Sequence, residues 1–141
     1  MERDTKFFQK AEAAAALSEF KRAPMGCIAV YKNKVISVGI NSHKTHPIQR
    51  EYDKYRKIHL NGGCNAYLHS LHAEIDCLLS VDDEKIDMSK VELYICRLTK
   101  SGTGLAKPCP ACRAYLKERG IRKVHYTTEY SCITETFFQR H

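Results

Sequence analysis

Two short segments combine residues that could bind a metal ion and transfer protons. SLHAEIDCLL, at residues 70–79, places His72 two positions before Glu74 at the start of an apolar-periodic run. KPCPACRAYLKERG, at residues 107–120, places Cys109 and Cys112 at the start of another. Thiolates at C-x-x-C spacing can chelate one zinc ion, and a helix N-terminus favours the thiolate form. For this pair alone, a redox dithiol or two core cysteines remain alternatives.

His72 would bring the number of metal ligands to three. A structural zinc site normally uses four protein ligands, often from a second C-x-x-C, and the sequence has no second one. Three ligands leave one position for a reacting water, as in catalytic zinc sites. Glu74 could then serve as the general acid–base if His72 lies at an irregular helix start. Taken separately, a first-turn Glu is ordinary capping chemistry and a lone His is an ordinary edge residue.

The composition predicts one folded domain over residues 1–141. The chain is long enough for a sizeable core, and 43% of its residues are hydrophobic. Seven cysteines, an odd number, argue against a disulfide framework. No apolar run approaches the ~20 residues of a membrane helix, and the charged N-terminal segment predicts an amphipathic helix rather than a signal peptide. We therefore expect a cytoplasmic protein without a membrane partner.

The net charge of +7 favours anionic partners such as nucleotides or nucleic acid, with a basic solvated surface as the alternative.

Strands and helices alternate in the second half, which indicates an α/β layered fold with some parallel strands. The predicted elements are a helix at 4–22, strands at 26–31 and 35–40 joined by a tight turn, an insertion at 42–71 with a basic helix at 48–59, a helix from 73, a strand at 91–96, a helix at 110–119, a strand at 122–128 and a short helix at 131–141.

The two motifs together resemble those of a known enzyme superfamily. His72-Ala73-Glu74 and Pro108-Cys109-Pro110-Ala111-Cys112 match the H-x-E…P-C-x-x-C signature of the zinc-dependent cytidine/deoxycytidylate deaminases. The likeness covers residues 25–128, and GIRKVHYTT at 120–128 resembles the deoxycytidylate deaminase branch. It implies a three-layer α/β/α cytidine deaminase-like fold with a central mixed sheet.

The resemblance also implies roles for single residues. His72, Cys109 and Cys112 would bind Zn²⁺, and Glu74 would carry protons between water, the base and the departing ammonia. Asn41, in VGIN, occupies the position where related enzymes contact the sugar, although a turn residue after a strand is the alternative. The expected reaction is hydrolytic deamination of cytosine in a nucleotide such as dCMP, by a homo-oligomer.

Segment 42–71, longer than in compact members of the superfamily, leaves three questions open. Its basic residues interleave with Tyr52 and Tyr55, a combination that can track phosphates and stack bases. An alternative function is therefore deamination of cytosine or adenine in single-stranded nucleic acid or tRNA. A further alternative function is that of a non-catalytic, zinc-stabilised nucleotide-binding module. Glu74 disfavours this alternative, because a structural zinc site does not need its carboxylate. The basic residues of this segment are Arg50, Lys54, Arg56 and Lys57. The segment could also hold a second, structural zinc ion, with ligands from among His43, His46, His59, Cys64 and His69.

Overall fold

The computed structural model describes residues 2–56 and 70–137. Within these ranges the chain alternates helices with the strands of one sheet, as the sequence predicts. The elements are α1 (Glu2–Ala16), β1 (Met25–Tyr31), β2 (Lys34–Ile40), α2 (Pro47–Tyr52), α3 (Ala73–Leu79), β3 (Glu92–Thr99), β4 (Gly102–Gly104), α4 (Pro110–Glu118), β5 (Lys123–Thr127) and β6 (Cys132–Thr136). The described ranges also contain two 3-10 turns, at Asp53–Arg56 and Met88–Lys90.

The strands form a mixed sheet in the order β2-β1-β3-β5-β6, with β4 paired to β3. β3 and β5 are parallel and are connected through α4, whereas the other neighbouring strands are antiparallel. The turn between β1 and β2 is formed by Lys32 and Asn33, both with positive φ, as a two-residue hairpin turn requires. The mixed sheet and the α/β class expected from the sequence are confirmed.

Helices cover both faces of this sheet, because side chains alternate along each strand. Ile28 and Val30 of β1 pack with Phe7 of α1 on one face. Cys27 and Ala29 belong to the core on the other face. That second core also contains residues of α3 and α4, among them Ile75, Leu78, Cys112 and Leu116. The three-layer arrangement is therefore the observed one.

Gly39 allows α3 to lie directly on the end of β2. A Cβ atom at this position would be 2.3 Å from both the Ala73 O and the Cys77 N of α3. Two hydrogen bonds fix this contact: Ser37 Oγ donates to Cys77 O over 2.5 Å, and the Ile40 N–H donates to Asp76 Oδ2 over 3.0 Å. The N-terminal end of α3 is therefore held against a sheet edge.

Three element predictions need correction. The tail prediction of a short helix at 131–141 is wrong, since Cys132–Thr136 is strand β6, antiparallel to β5; residues 138–141 lie outside the described residues. α1 ends at Ala16 rather than at 22, and Ser18 then turns inward to bond the Asn41 side chain. The basic helix at 48–59 is α2 followed by a 3-10 turn up to Arg56, and its last three residues are not described.

In the described part of the chain, none of the helices has the length and apolar character needed to cross a bilayer.

Candidate metal centre and active site

His72 is placed at the start of α3 by the two ends of segment 42–71. The Leu71 N–H donates to Lys44 O over 2.8 Å, and the Ser42 N–H donates to Leu71 O over 3.1 Å. His72 is the N-cap residue of α3, with φ −84° and ψ 153°, and its side chain makes no capping hydrogen bond. This is the irregular helix start that the sequence argument required, and it keeps the imidazole out of the capping role.

Cys109 and Cys112 lie in the first turn of α4. Cys109 is the N-cap residue, and Pro110 takes the first helical position. The Cys112 N–H donates a hydrogen bond to Cys109 Sγ, with 3.5 Å between the nitrogen and the sulfur. The loop before them is fastened to β5 by the Ala106 N–H, which donates to Thr127 O over 2.9 Å. Both cysteines thus sit at a defined helix start rather than in a loose loop.

The two helix starts meet. His72 Nδ1 lies 3.2 Å from Cys112 Sγ and 3.5 Å from Cys109 Sγ, and the three ligand atoms all lie within 4.8 Å of one another. Tetrahedral zinc sites with sulfur and nitrogen ligands place neighbouring ligand atoms roughly 3.5 Å apart. The hydrogen bonds from the Cys112 thiol and the His72 ring lower the pKa of Cys109 to about 4, so one thiolate is already favoured. These three residues could hold a metal ion.

Glu74 lies beside this cluster, in the first turn of α3. It is only 2% exposed, and its Oε1 atom has no hydrogen-bond partner among the described residues. Burial raises the pKa of Glu74 above its ordinary value. An unpaired, buried carboxylate oxygen is costly for a purely structural residue. The donor set and this unpaired oxygen fit a catalytic zinc centre, in which a carboxylate exchanges protons with water, better than a closed structural one.

Asn41 lies at the end of β2, where its amide braces the chain between α1 and β1. Its Oδ1 accepts from Ser18 Oγ (2.5 Å) and from the Met25 N–H (2.9 Å), and its Nδ2 donates to Ala23 O (2.7 Å). These bonds match the turn-bracing alternative for this residue. One Nδ2 hydrogen is not used by them, so the side chain can still offer a donor to a ligand.

A cavity of about 300 Å³ opens next to His72 and Asn41. Its walls also include Phe20, Arg22 and Arg56. An aromatic ring, an amide donor and two guanidinium groups are the types of side chain that a base, a sugar and a phosphate would contact. Asn41 therefore lies in the cavity wall in addition to bracing the chain, and its contact with a substrate stays a prediction.

Two of the described basic residues of segment 42–71 line different cavities. Arg56 lies in the cavity wall beside His72, whereas Arg50 lines a separate cavity with His46. Tyr52 donates its hydroxyl to Glu118 and packs edge-on against a tyrosine of α4, so its ring is part of the packing of α2 on α4. Tyr55 is 45% exposed, with Lys54 over its ring. Lys57 lies outside the described residues.

The candidates for a second zinc ion are only partly described. His43 packs against Phe20 in a tilted arrangement, with ring centroids 4.9 Å apart. His46 caps α2, since its Nδ1 accepts from the Ile48 N–H over 3.1 Å. His59, Cys64 and His69 lie outside the described residues. Among the residues that the structure describes, the group of His72, Cys109 and Cys112 is the one that could hold a metal ion.

The sequence analysis missed two buried polar residues next to His72. Gln49 is fully buried, and its Oε1 accepts the His72 backbone N–H over 2.9 Å. Asp53 is 2% exposed and bonds both Gln49 and Arg56. A signal was present: Gln and Asp at i and i+4 can pair on a helix, and Gln49 and Asp53 have this spacing across the end of α2.

Comparison with known proteins agrees with this geometry. The model of the family described as "Cytidine and deoxycytidylate deaminase zinc-binding region" matches residues 1–128. The chain belongs to this family. The resemblance inferred from the two motifs is confirmed, and the deaminase and zinc-binding character follow at the level of the family.

Individual relatives are distant. The chain is 28% identical over 136 residues to an uncharacterized deaminase in the luxG 3′ region of Aliivibrio fischeri, covering 96% of this chain and 76% of that protein. It is 26% identical to the deoxycytidylate deaminase of Schizosaccharomyces pombe, covering 94% of this chain but 39% of that protein. The chain therefore spans about two fifths of the length of this yeast relative.

Solved structures show the same architecture. The dCMP deaminase of cyanophage S-TIM5 aligns with a TM-score of 0.59 at 25% identity, covering 90% of this chain and 83% of that one. A cytidine deaminase from Burkholderia pseudomallei aligns with a TM-score of 0.64 at 18% identity, covering 94% and 91%. The second likeness concerns the fold alone.

Proposed function

We propose that the protein catalyses the zinc-dependent hydrolytic deamination of cytosine in a nucleotide such as dCMP. One observation carries the proposal. The ligand atoms of His72, Cys109 and Cys112 converge at the starts of α3 and α4, next to the buried carboxylate of Glu74 with its unpaired oxygen. The reaction consumes one water, replaces the exocyclic amine by a carbonyl oxygen, and releases ammonia.

His72, Cys109 and Cys112 would hold the zinc ion. Zinc, when bound, would polarise a water and lower its pKa toward about 7. Glu74 takes a proton from the attacking water and gives it to the ring nitrogen beside the reacting carbon. It then helps a second proton reach the amine, so that ammonia leaves. The raised pKa of the buried Glu74 suits this work, because a carboxyl that both accepts and returns protons operates best near the ambient pH.

Support for a nucleotide substrate comes from the cavity and from the relatives. The cavity places Asn41, Arg22 and Arg56 around one opening, where Asn41 would contact the sugar and the guanidinium groups would contact a phosphate. The S-TIM5 dCMP deaminase, 25% identical to this chain, has been solved in complex with dCMP and dUMP. Both observations favour a free nucleotide over a nucleoside without a phosphate.

Single-stranded nucleic acid or tRNA is the second candidate substrate. Tyr55, exposed with Lys54 over its ring, offers one surface for base stacking. Tyr52 is engaged with Glu118 and is therefore a poor stacking platform. A non-catalytic zinc-stabilised module ranks third, because it would gain nothing from burying Glu74. A homo-oligomeric state and a cytoplasmic location remain our predictions; light scattering on the purified protein would give the first.

The decisive experiment is a substrate panel with zinc-loaded protein. Cytidine, dCMP, dCTP and a cytosine-containing oligonucleotide are incubated with the enzyme, and uracil formation and ammonia release are followed. We expect the largest kcat/KM for dCMP, and a value lower by about 100-fold or more for Glu74→Gln, the matched control. Turnover confined to the oligonucleotide would favour the second candidate. Absence of uracil from every substrate, with zinc bound, would contradict catalysis.

A further inference from the structure

The backbone of His72 is held by a side chain from another helix. Gln49, in α2, is fully buried and its Oε1 accepts the His72 N–H over 2.9 Å. The same amide donates through Nε2 to Asp53 Oδ1 over 2.7 Å. Asp53, itself 2% exposed, lies 3.3 Å from the guanidinium of Arg56. A buried polar chain thus runs from His72 to the wall of the active-site cavity.

This contact replaces a feature that α3 lacks. In a capping box, the N-cap side chain bonds the amide at N3 while a Glu or Gln at N3 bonds the N-cap amide in return. Here the N-cap residue is His72, whose side chain does not cap, and the N3 position holds Ile75, an apolar core residue. Neither half of the box can form within α3. Gln49 supplies the returning acceptor from α2.

Asp53 fixes which way the Gln49 amide points. An amide side chain can present either its oxygen or its nitrogen, and a carboxylate accepts only from the nitrogen. With Nε2 directed to Asp53, Oε1 is left to face the His72 N–H. Because both side chains are buried, turning the amide over would leave polar groups without partners at a substantial cost. The backbone geometry at His72 therefore depends on Gln49 and Asp53.

We propose that Gln49 is a positioning residue for the metal centre: it holds the His72 backbone so that the imidazole meets Cys109 and Cys112. Asp53 orients Gln49. The inference rests on the proposed function, in which His72 is a zinc ligand. It gives segment 42–71 a role in the site through Gln49 and Asp53, in addition to whatever its basic residues contact.

The test compares Gln49→Met, which keeps the length of the side chain but removes both hydrogen bonds, with Gln9→Met on the exposed surface of α1. Zinc affinity of each metal-free protein is measured by competition with a chromophoric chelator. Outer-shell changes at metal sites typically cost about 10–100-fold in affinity. We expect about a tenfold loss or more for Gln49→Met, an altered Co²⁺ d–d absorption spectrum, and neither change for Gln9→Met.

Two outcomes overturn the inference. One is unchanged zinc affinity in Gln49→Met, even if its apo-form Tm falls, since that would make Gln49 a brace with no effect on the metal ligand. The other is fast hydrogen exchange at the His72 amide of the wild-type apoprotein, a measurement that does not depend on the variant folding. If the wild-type protein binds no zinc, the proposed function fails instead, and the two failures are thereby distinguished.

Asp53→Leu tests the Gln49–Asp53 hydrogen bond separately from the His72–Gln49 hydrogen bond. It keeps the Gln49 side chain but removes the group that orients its amide. We expect a smaller loss of zinc affinity than in Gln49→Met, together with faster exchange at the His72 amide. A larger loss than in Gln49→Met would contradict the order of the links.

Discussion

The His72 Nδ1 atom lies 3.2 Å from Cys112 Sγ, although the two residues are 40 positions apart in the chain. Two apolar-faced helices bring them together, since α3 and α4 pack in the same core on one side of the sheet. Metal affinity should therefore depend on both helix starts, and each start can be tested separately.

Purified protein should carry about one zinc ion per chain, because three ligand atoms converge at one place. Cys112→Ser should lower zinc occupancy and Tm together, since an ion that binds only the folded state stabilises it. Metal analysis and thermal unfolding with and without a chelator measure both. Cys132→Ser, at an exposed position, is the control and should match the wild type. Full zinc occupancy in Cys112→Ser would remove this residue from the ligand set.

Glu74→Gln should keep the zinc ion and lose turnover. The change preserves the shape of the side chain but removes its ability to take and return a proton, which is typically worth about 10²–10⁴-fold in rate. Steady-state kinetics and metal analysis on the same sample separate the two properties. Glu84→Gln, at an exposed position, should retain wild-type kcat. Near-normal turnover in Glu74→Gln would require another proton carrier.

The main elements, and the helix starts that carry His72, Cys109 and Cys112, could be predicted because their signals are local. Pro110 at the first position of α4 and Gly120 after its end, with φ +91°, follow directly from helix-terminus chemistry. The H-x-E and C-x-x-C spacings identify the candidate residues once both motifs are placed at helix starts. The meeting of the two starts could not be derived from either segment alone; it came from the resemblance.

The misassigned parts depend on tertiary partners. CITET at 132–136 contains the β-branched residues of a strand, but its pairing with β5 is what selects the strand over a helix. Gln49 and Asp53 occur in a charged stretch that suggests a solvated surface, and their burial depends on the packing of α2 and of the turn after it against α4. A sequence pattern carries little information on such a contact.

Gly39→Ala should damage the metal site through packing. The added Cβ would fall 2.3 Å from backbone atoms of α3, and backbone cannot turn aside as a flexible side chain can. Overpacking of this kind typically costs about 1–3 kcal/mol, and here it would also push the start of α3 away from β2. Chemical denaturation and zinc affinity measure the two effects. Val38→Ala is the neighbouring control: Val38 is 54% exposed, and both properties should stay close to wild type.

Asn41 can be tested for its two roles with two variants. Asn41→Ala removes the bonds to Ser18, Met25 and Ala23 and should lower the free energy of unfolding by about 1–3 kcal/mol. Asn41→Asp keeps the oxygen that accepts two of these bonds but loses the amide donors. If Asn41 also contacts the substrate, Asn41→Asp should raise KM for the nucleotide even at a temperature where the variant is fully folded. Unchanged KM in Asn41→Asp would leave the brace as its function.

Glu92 should give the protein a measurable loss of stability in acid. Partial burial would raise its pKa, but the bonds from Arg3 (2.6 Å) and His125 (2.8 Å) outweigh burial and lower the pKa below the ordinary carboxyl value. A carboxyl with a lowered folded-state pKa binds fewer protons than in the unfolded chain. Its stabilisation is therefore present above about pH 4.3, the unfolded value, and is lost as the pH falls through the folded-state pKa.

Glu92→Gln should have a lower Tm than the wild type at pH 7, and the difference should shrink at pH 3. Glu84→Gln, which lacks these contacts, should differ from the wild type by a similar small amount at both pH values. A gap for Glu92→Gln that stays constant between pH 7 and pH 3 would show that the charge of Glu92 does not stabilise the fold.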